Sequence, residues 1–196
     1  MAEPWTRPNR LERPPAVTEV FEDSEILVTG MEWLGGNVRS LSVKLGDIIR
    51  AARSSLDITV YSLTDGADEV LAVIDERAAA GIKTRIIVDD LESVSDDKKY
   101  WLREKLREMI RRNPGTVEVW NFPHESKNDG IHAKVLVADR THAMIGSANL
   151  SFRGLHAAHE LGVLVHGPAA QTTAKCIDRL ILSPKTKRWG LQPSIT

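Results

Sequence analysis

Between residues 56 and 88 the chain runs strand, helix, strand with almost no slack, and this arrangement limits the possible folds more than any other feature. Residues 56–62 (LDITVYS) place Leu56, Ile58, Val60 and Ser62 on one face by a period of two. Asp65-Gly66 punctuates the strand. Asp65 is a candidate cap for a helix whose Ala67, Val70, Leu71, Ile74 and Ala78 form one stripe. Gly81 is a good helix stop, and a second strand over 84–88 follows at once. Its Ile86-Ile87-Val88 run has no polar interruption, as expected of a strand covered on both faces. A βαβ unit with joints this short argues for a parallel pair and a right-handed crossover.

The flanking segments extend the same architecture. Residues 25–29 read as a first strand, Gly35-Gly36 as a break, and Leu41, Leu45, Ile48 and Ile49 fall at helical spacing. A helix over 98–112 carries Leu102, Leu106, Met109 and Ile110 on one side. Asn113-Pro114-Gly115 ends it, and a strand over 116–122 follows. After a polar loop over 123–130 come apolar stretches at 131–138, 143–145 and 161–165, then a closing helix over 169–182 after Gly167-Pro168. The class is α/β, a mixed sheet with helices on both faces in a single domain over 19–196. Residues 1–18, with Pro4, Pro8, Pro14 and Pro15 among charges, read as a flexible arm.

Composition excludes several alternatives. The 42% apolar content of 196 residues is that of a folded domain rather than a disordered chain. One cysteine, Cys176, permits neither an internal disulfide nor a Cys-rich zinc module. No apolar run approaches the roughly 20 residues of a membrane helix, and the first fifteen residues lack a signal-peptide core, so a cytoplasmic protein is expected. A net charge of −1 neither announces nor excludes a nucleic-acid partner.

The chemistry is concentrated in residues 131–160, IHAKVLVADRTHAMIGSANLSFRGLHAAHE. On a strand His132 and Lys134 share a face, with Ile131, Ala133, Val135 and Val137 forming a core face opposite. A lysine on such a strand calls for a partner, since lysine is almost never fully buried without one. Ser147 and Asn149, also two apart, follow Gly146. An ammonium, a hydroxyl and an amide are donors suited to an oxyanion, and an imidazole beside them can act as nucleophile or acid/base near neutral pH. A divalent cation suits this set poorly. No metal and no cofactor are expected, and the local chemistry is metal-independent phosphoryl transfer.

At these residues the sequence resembles the phospholipase D superfamily, whose signature is H-x-K-x4-D-x6-G-S-x-N. His132, Lys134, Asp139, Gly146, Ser147 and Asn149 reproduce every spacing, and Glu160 in HELGVLV matches the acidic residue before the family's next strand. The resemblance extends over about residues 38–182. It implies that His132 attacks phosphorus to form a phosphohistidine, and that Lys134, Ser147 and Asn149 hold the non-bridging oxygens. It also implies that Glu160 orients a histidine ring. Asp139, of opposite strand parity to His132, is expected to bridge or support rather than to touch phosphate. A second histidine must protonate the leaving oxygen, yet no other histidine here is followed two residues later by lysine. The expectation is a C2 homodimer with one motif from each copy.

Other readings compete at individual positions. Ser147 and Asn149 could simply cap the turn around Gly146, and Asp139-Arg140 could be a turn. His156, His159 and Glu160 form an H-x-x-H-E cluster that suggests metal ligation only weakly. Lys98, Lys99, Arg103, Lys105, Arg107, Arg111 and Arg112 give the 98–112 helix a surplus of five positive charges over Glu104 and Glu108. That is either a solvated face or a phosphate-backbone contact, with Lys98, Lys99, Arg103, Arg107 and Arg111 the contact candidates and Tyr100 and Trp101 able to stack or to anchor. Arg179, Lys185, Lys187 and Arg188 form a second, equally ambiguous basic cluster. The short single-motif chain resembles small dimeric bacterial nucleases, so the expected activity is cleavage of DNA or RNA. The alternatives are a lipid phosphodiesterase or phosphatidyltransferase, and a nucleic-acid-binding or assembly subunit of a bacterial defence system.

Overall fold

The computed structural model describes residues 24–33, 35, 38–64, 66–93, 97–125 and 129–190, with the side chains of residues 97 and 98 excepted. The arm over 1–18, Gly36, the Asp65 cap and the Lys98 side chain lie outside the described residues.

Among the described residues nine strands form one sheet. In chain order they are β1 (Ser24–Thr29), β2 (Arg39–Ser40), β3 (Ser55–Val60), β4 (Lys83–Asp89), β5 (Val117–Phe122), β6 (Lys134–Ala138), β7 (His142–Gly146), β8 (Glu160–His166) and β9 (Lys187–Trp189). Their spatial order is β2-β1-β8-β7-β6-β3-β4-β5-β9. The helices are α1 (Leu41–Ala51), α2 (Asp68–Ala79), α3 (Asp97–Arg112) and α4 (Gly167–Ile181). The βαβ expectation holds twice, because β3, β4 and β5 are parallel and are joined through α2 and α3. From β3 outward the pairs β3–β6, β6–β7, β7–β8 and β8–β1 are antiparallel. The sheet is therefore mixed.

Two cores cover its faces. The larger packs Leu41, Leu45 and Ile49 of α1, Leu71 and Ile74 of α2, and Leu102 and Leu106 of α3 against Leu56, Ile58, Ile86 and Leu136. The smaller sets Ala170, Ala174 and Ile177 of α4 against Ile87, Val137 and Ala143. Burial on both sides explains the apolar run in β4, since Ile86, Ile87 and Val88 are all buried whichever face they point to. Asp57, 2% exposed, accepts two hydrogen bonds from Arg85 at 2.6 and 2.7 Å. Arg85 also reaches Asp178 of α4 at 2.9 Å. These pairs hold Arg85 firmly charged, first through its hydrogen bond to Asp57, and tie α4 to the sheet.

Two sequence expectations change. β6 begins at Lys134, not at Ile131, so His132 projects from the loop before the strand. Val135 and Val137 do face a core, but it is the smaller one, and Ala133 is exposed. The face carrying Lys134 continues through Leu136 and Ala138 into the larger core, because helices cover both sides of the sheet.

Candidate active site

One edge of the sheet collects the ends of β1, β3, β4, β6, β7 and β8. Because β6 runs antiparallel to β3, its first residue, Lys134, lies at the edge where β3 ends and Tyr61 follows. Lys134 pairs with Gly146 on β7, and Gly146 with Gly162 on β8. The backbones approach so closely here that a Cβ on Gly146 would lie 2.9 Å from both Gly162 Cα and Leu161 O. Only glycine fits at that position, which places Ser147 directly against β8.

Lys134 is 9% exposed. Its ammonium donates to His132 O at 2.7 Å and lies 3.0 Å from each imidazole nitrogen of His132. It also sits over the Tyr61 ring, 4.7 Å from the centroid, and that ring meets His132 edge-on at 4.6 Å. Burial lowers the Lys134 pKa, while the negative charges of Glu160 and Asp89 oppose the shift. The result is a nearly buried cation held against an exposed imidazole, which suits an oxyanion that brings its own charge.

Ser147 and Glu160 meet beside this pair. Ser147 Oγ donates to Glu160, the Ser147 amide donates to Leu161 O, and the Leu161 amide donates to Ser147 Oγ. Asn149 Oδ1 is buried without a hydrogen-bond partner among the described residues. Glu160 makes no hydrogen bond or ion pair with His132 of its own chain, so the expected carboxylate–imidazole bond is not formed within one copy.

Asp139 is not brought to the site. It follows the far end of β6, roughly 16 Å from Lys134 at ~3.3 Å per residue. Its carboxylate accepts from the amides of Arg53, Ser54 and Ser55 and from Ser54 Oγ, at 2.7–3.1 Å. Burial would raise its pKa, but the Ser54 hydroxyl and these amides outweigh that and hold it low. With Arg140 it occupies left-handed backbone, φ 53° and 58°, so the turn expected at Asp139-Arg140 is present.

The H-x-x-H-E cluster diverges. His156 packs on Phe152, His159 pairs with Glu32, and Glu160 holds Ser147. Among the described residues no group of three or more His, Cys, Asp or Glu is placed to hold a metal ion.

Much of the basic surplus of α3 is already engaged. Lys99 donates to the carbonyls of Asp89 and Asp90, and Arg103 to those of Leu91 and Ser93. Arg107 pairs with Glu104 and lies over Trp189, and Arg112 pairs with Asp75 and Glu108. Trp101 packs against the core, whereas Tyr100 is exposed. Of the contact candidates with a described side chain, Arg111 has no hydrogen-bond or ion-pair partner among the described residues. Arg111→Glu is therefore expected to flatten the salt dependence of DNA binding at unchanged melting temperature, whereas Lys99→Ala or Arg103→Ala lowers the melting temperature. An unchanged salt slope removes Arg111 from any nucleic-acid contact. In the second basic cluster, Lys185 pairs with Asp129 and Glu125, and Arg188 with Glu118.

Tyr61, Asp89 and His124 stand at this edge without having been singled out in the sequence. The signal for Asp89 was available, because an acid directly after a buried parallel strand marks the strand ends where α/β sheets place their sites.

The family model for the cardiolipin synthase, PLD-like domain matches residues 45–181. The chain belongs to the phospholipase D superfamily. Within it, the chain is 28% identical over 132 residues to the DISARM protein DrmC of Bacillus paralicheniformis, which covers 66% of this chain and 51% of that protein. It is 27% identical over 151 residues to the 5'-3' exonuclease PLD3 of Rattus norvegicus, covering 70% of this chain and 26% of that one. The chain thus spans about half, or less, of the length of these relatives. Among solved structures, the phospholipase D family member Nuc from Salmonella typhimurium superposes with a TM-score of 0.65 at 15% identity, over 85% of this chain and 99% of that one. That likeness shows the phospholipase D fold. Among the described residues no helix is long and apolar enough to cross a membrane.

Proposed function

We propose that this phospholipase D-like chain is a metal-independent nuclease, cleaving DNA or RNA through a phosphohistidine, with its active site completed by a second copy. The observation that carries this reading is the His132–Lys134 pair, an exposed imidazole bound to a nearly buried ammonium at an open edge of the sheet. A ring nitrogen of His132 attacks phosphorus. As the bond to the leaving oxygen breaks, an imidazolium N–H supplies its proton. The same imidazole then takes a proton from water, whose oxygen attacks phosphorus and releases His132. Lys134, Ser147 and Asn149 face the growing negative charge.

The second imidazole comes from His132 of the partner subunit. Two features support this: the chain holds one H-x-K, and Glu160, spent on Ser147 within the chain, has no hydrogen bond or ion pair with its own His132. The similarity to an exonuclease supports nucleic acid as substrate.

The test is a cleavage panel in EDTA over single- and double-stranded DNA and RNA and over phospholipid vesicles, run beside sedimentation. Nucleic-acid cleavage by a dimer, lost by at least about a thousandfold in His132→Ala with binding retained, is the expected result, as for removal of a covalent nucleophile. Headgroup release without nucleic-acid cleavage transfers the site to lipid. A fully active monomer removes the partner's histidine from the mechanism. No cleavage of either substrate with nucleic acid still bound leaves a binding or assembly role.

A further inference from the structure

The end of β4 carries a carboxylate to which phosphoryl transfer as described gives no task. Asp89 is 1% exposed. Its Oδ1 accepts from the Ile131 amide at 2.7 Å and from His124 Nε2 at 2.8 Å. His124 covers it from outside, about one-third exposed, with Nδ1 3.9 Å from Asp90 Oδ2. Gly130 makes room for the pair: a Cβ there would lie 2.7 Å from His124 Nε2 and 3.0 Å from Asp89 Oδ1. A loop anchor alone does not need a charge, and burying one is costly unless it is compensated.

Two facts point to what the charge serves. Ile131 directly precedes His132, and on the other side Thr59 Oγ1 donates to Ala133 O at 2.8 Å while accepting from Val135 N at 3.0 Å. The backbone of His132 is therefore pinned on both sides, by Asp89 and by Thr59. The Asp89 charge also acts on the Lys134 ammonium, which is faced by His132 from its own loop, Tyr61 from the end of β3, Glu160 from β8 and Asp89 from β4.

We infer that Asp89 is a positioning residue of this site. Through the Ile131 amide it sets the backbone from which His132 projects, its buried negative charge balances the Lys134 ammonium, and His124 screens it from an incoming phosphate. This rests on the phosphodiesterase reading for its substrate, but inorganic phosphate suffices to test it.

Phosphate affinity is measured through the alkaline range for the wild type, Asp89→Asn and Gly130→Ala, with melting temperatures. Asparagine keeps an acceptor for Ile131 and loses the charge. The loss of phosphate binding on Lys134 deprotonation then moves to lower pH, because a nearby opposite charge that favoured the ammonium is gone. Gly130→Ala, at an exposed position, forces His124 and Asp89 apart without changing a charge, and is expected to weaken phosphate binding several-fold. If Asp89→Asn does not fold, Gly130→Ala decides alone. Phosphate titrations that superimpose on the wild type overturn the proposal, whatever the cleavage panel gives. Shifted titrations in a wild-type protein that cleaves neither nucleic acid nor lipid uphold Asp89 and retire the enzymatic reading instead.

Discussion

Lys134→Met is expected to lower the cleavage rate by about two to three orders of magnitude, the cost of removing one preorganised donor to a developing oxyanion, without lowering the melting temperature. The two halves of that result have separate causes. Among the described residues the ammonium is the only full positive charge touching the His132 imidazole, so its loss falls on the transition state. In the folded protein, however, burial lowers the Lys134 pKa. Between the folded and the unfolded pKa the unfolded chain binds more protons, and stability rises with pH through that window. At neutral pH the folded state carries the whole penalty of a desolvated cation, and methionine, of similar length and apolar, removes it. Cleavage assays beside thermal melts check both halves. A rate within a few-fold of wild type takes Lys134 out of the chemistry, and a melting temperature lowered by many degrees makes the ammonium a structural element.

That the site and the fold draw oppositely on one residue explains which parts of the protein are legible in its sequence. Period and punctuation were sufficient for β3, α2 and β4, because both parities of a doubly covered strand and one stripe of its helix must be apolar. They were insufficient for β2 and β9. Arg39–Ser40 and Lys187–Trp189 are two and three residues long and mostly polar, and they pair as edges whose hydrogen bonds leave no mark on composition. Lys187 and Arg188 read as a basic cluster for that reason. Spacing located His132, Lys134, Ser147 and Glu160 at one edge, but not the partner each would choose. Glu160 bonds Ser147 rather than His132 because Gly146 and Gly162 bring β7 and β8 into direct contact. The charge on α3 stayed ambiguous in the sequence for a similar reason. Lys99 and Arg103 are basic because carbonyls of the β4–α3 loop need donors, and a count of charges cannot separate that use from contact with phosphate. Asp89 and His124, thirty-five residues apart in sequence, meet only through the parallel pairing of β4 with β5.

Asp139→Ala should separate the structural member of the motif from the chemical ones. The side chain closes the turn between α1 and β3 by accepting from three successive amides and a hydroxyl. Hydrogen bonds to a charged group contribute about 1.5–3 kcal/mol each when buried. Arg53 and Ser54 are exposed here, so water replaces part of the loss, and the net cost is about 2–3 kcal/mol by that scale. For a chain of this length that lowers the melting temperature by about 4–12 °C. Alanine also tolerates the left-handed backbone at this position less well than aspartate, which acts in the same direction. Because the folded pKa of Asp139 is depressed, its stabilisation is complete above the unfolded value near ~3.9 and is lost as pH falls through the folded one. The gap between wild type and variant therefore narrows in acid. Asp139→Asn should fall between them, since its amide can still accept from Ser54 but turns a donor toward Arg53. Measured well below the melting temperature, cleavage per folded molecule should stay within a few-fold of wild type. A variant that melts normally yet loses activity a hundredfold would move Asp139 from the scaffold into the reaction.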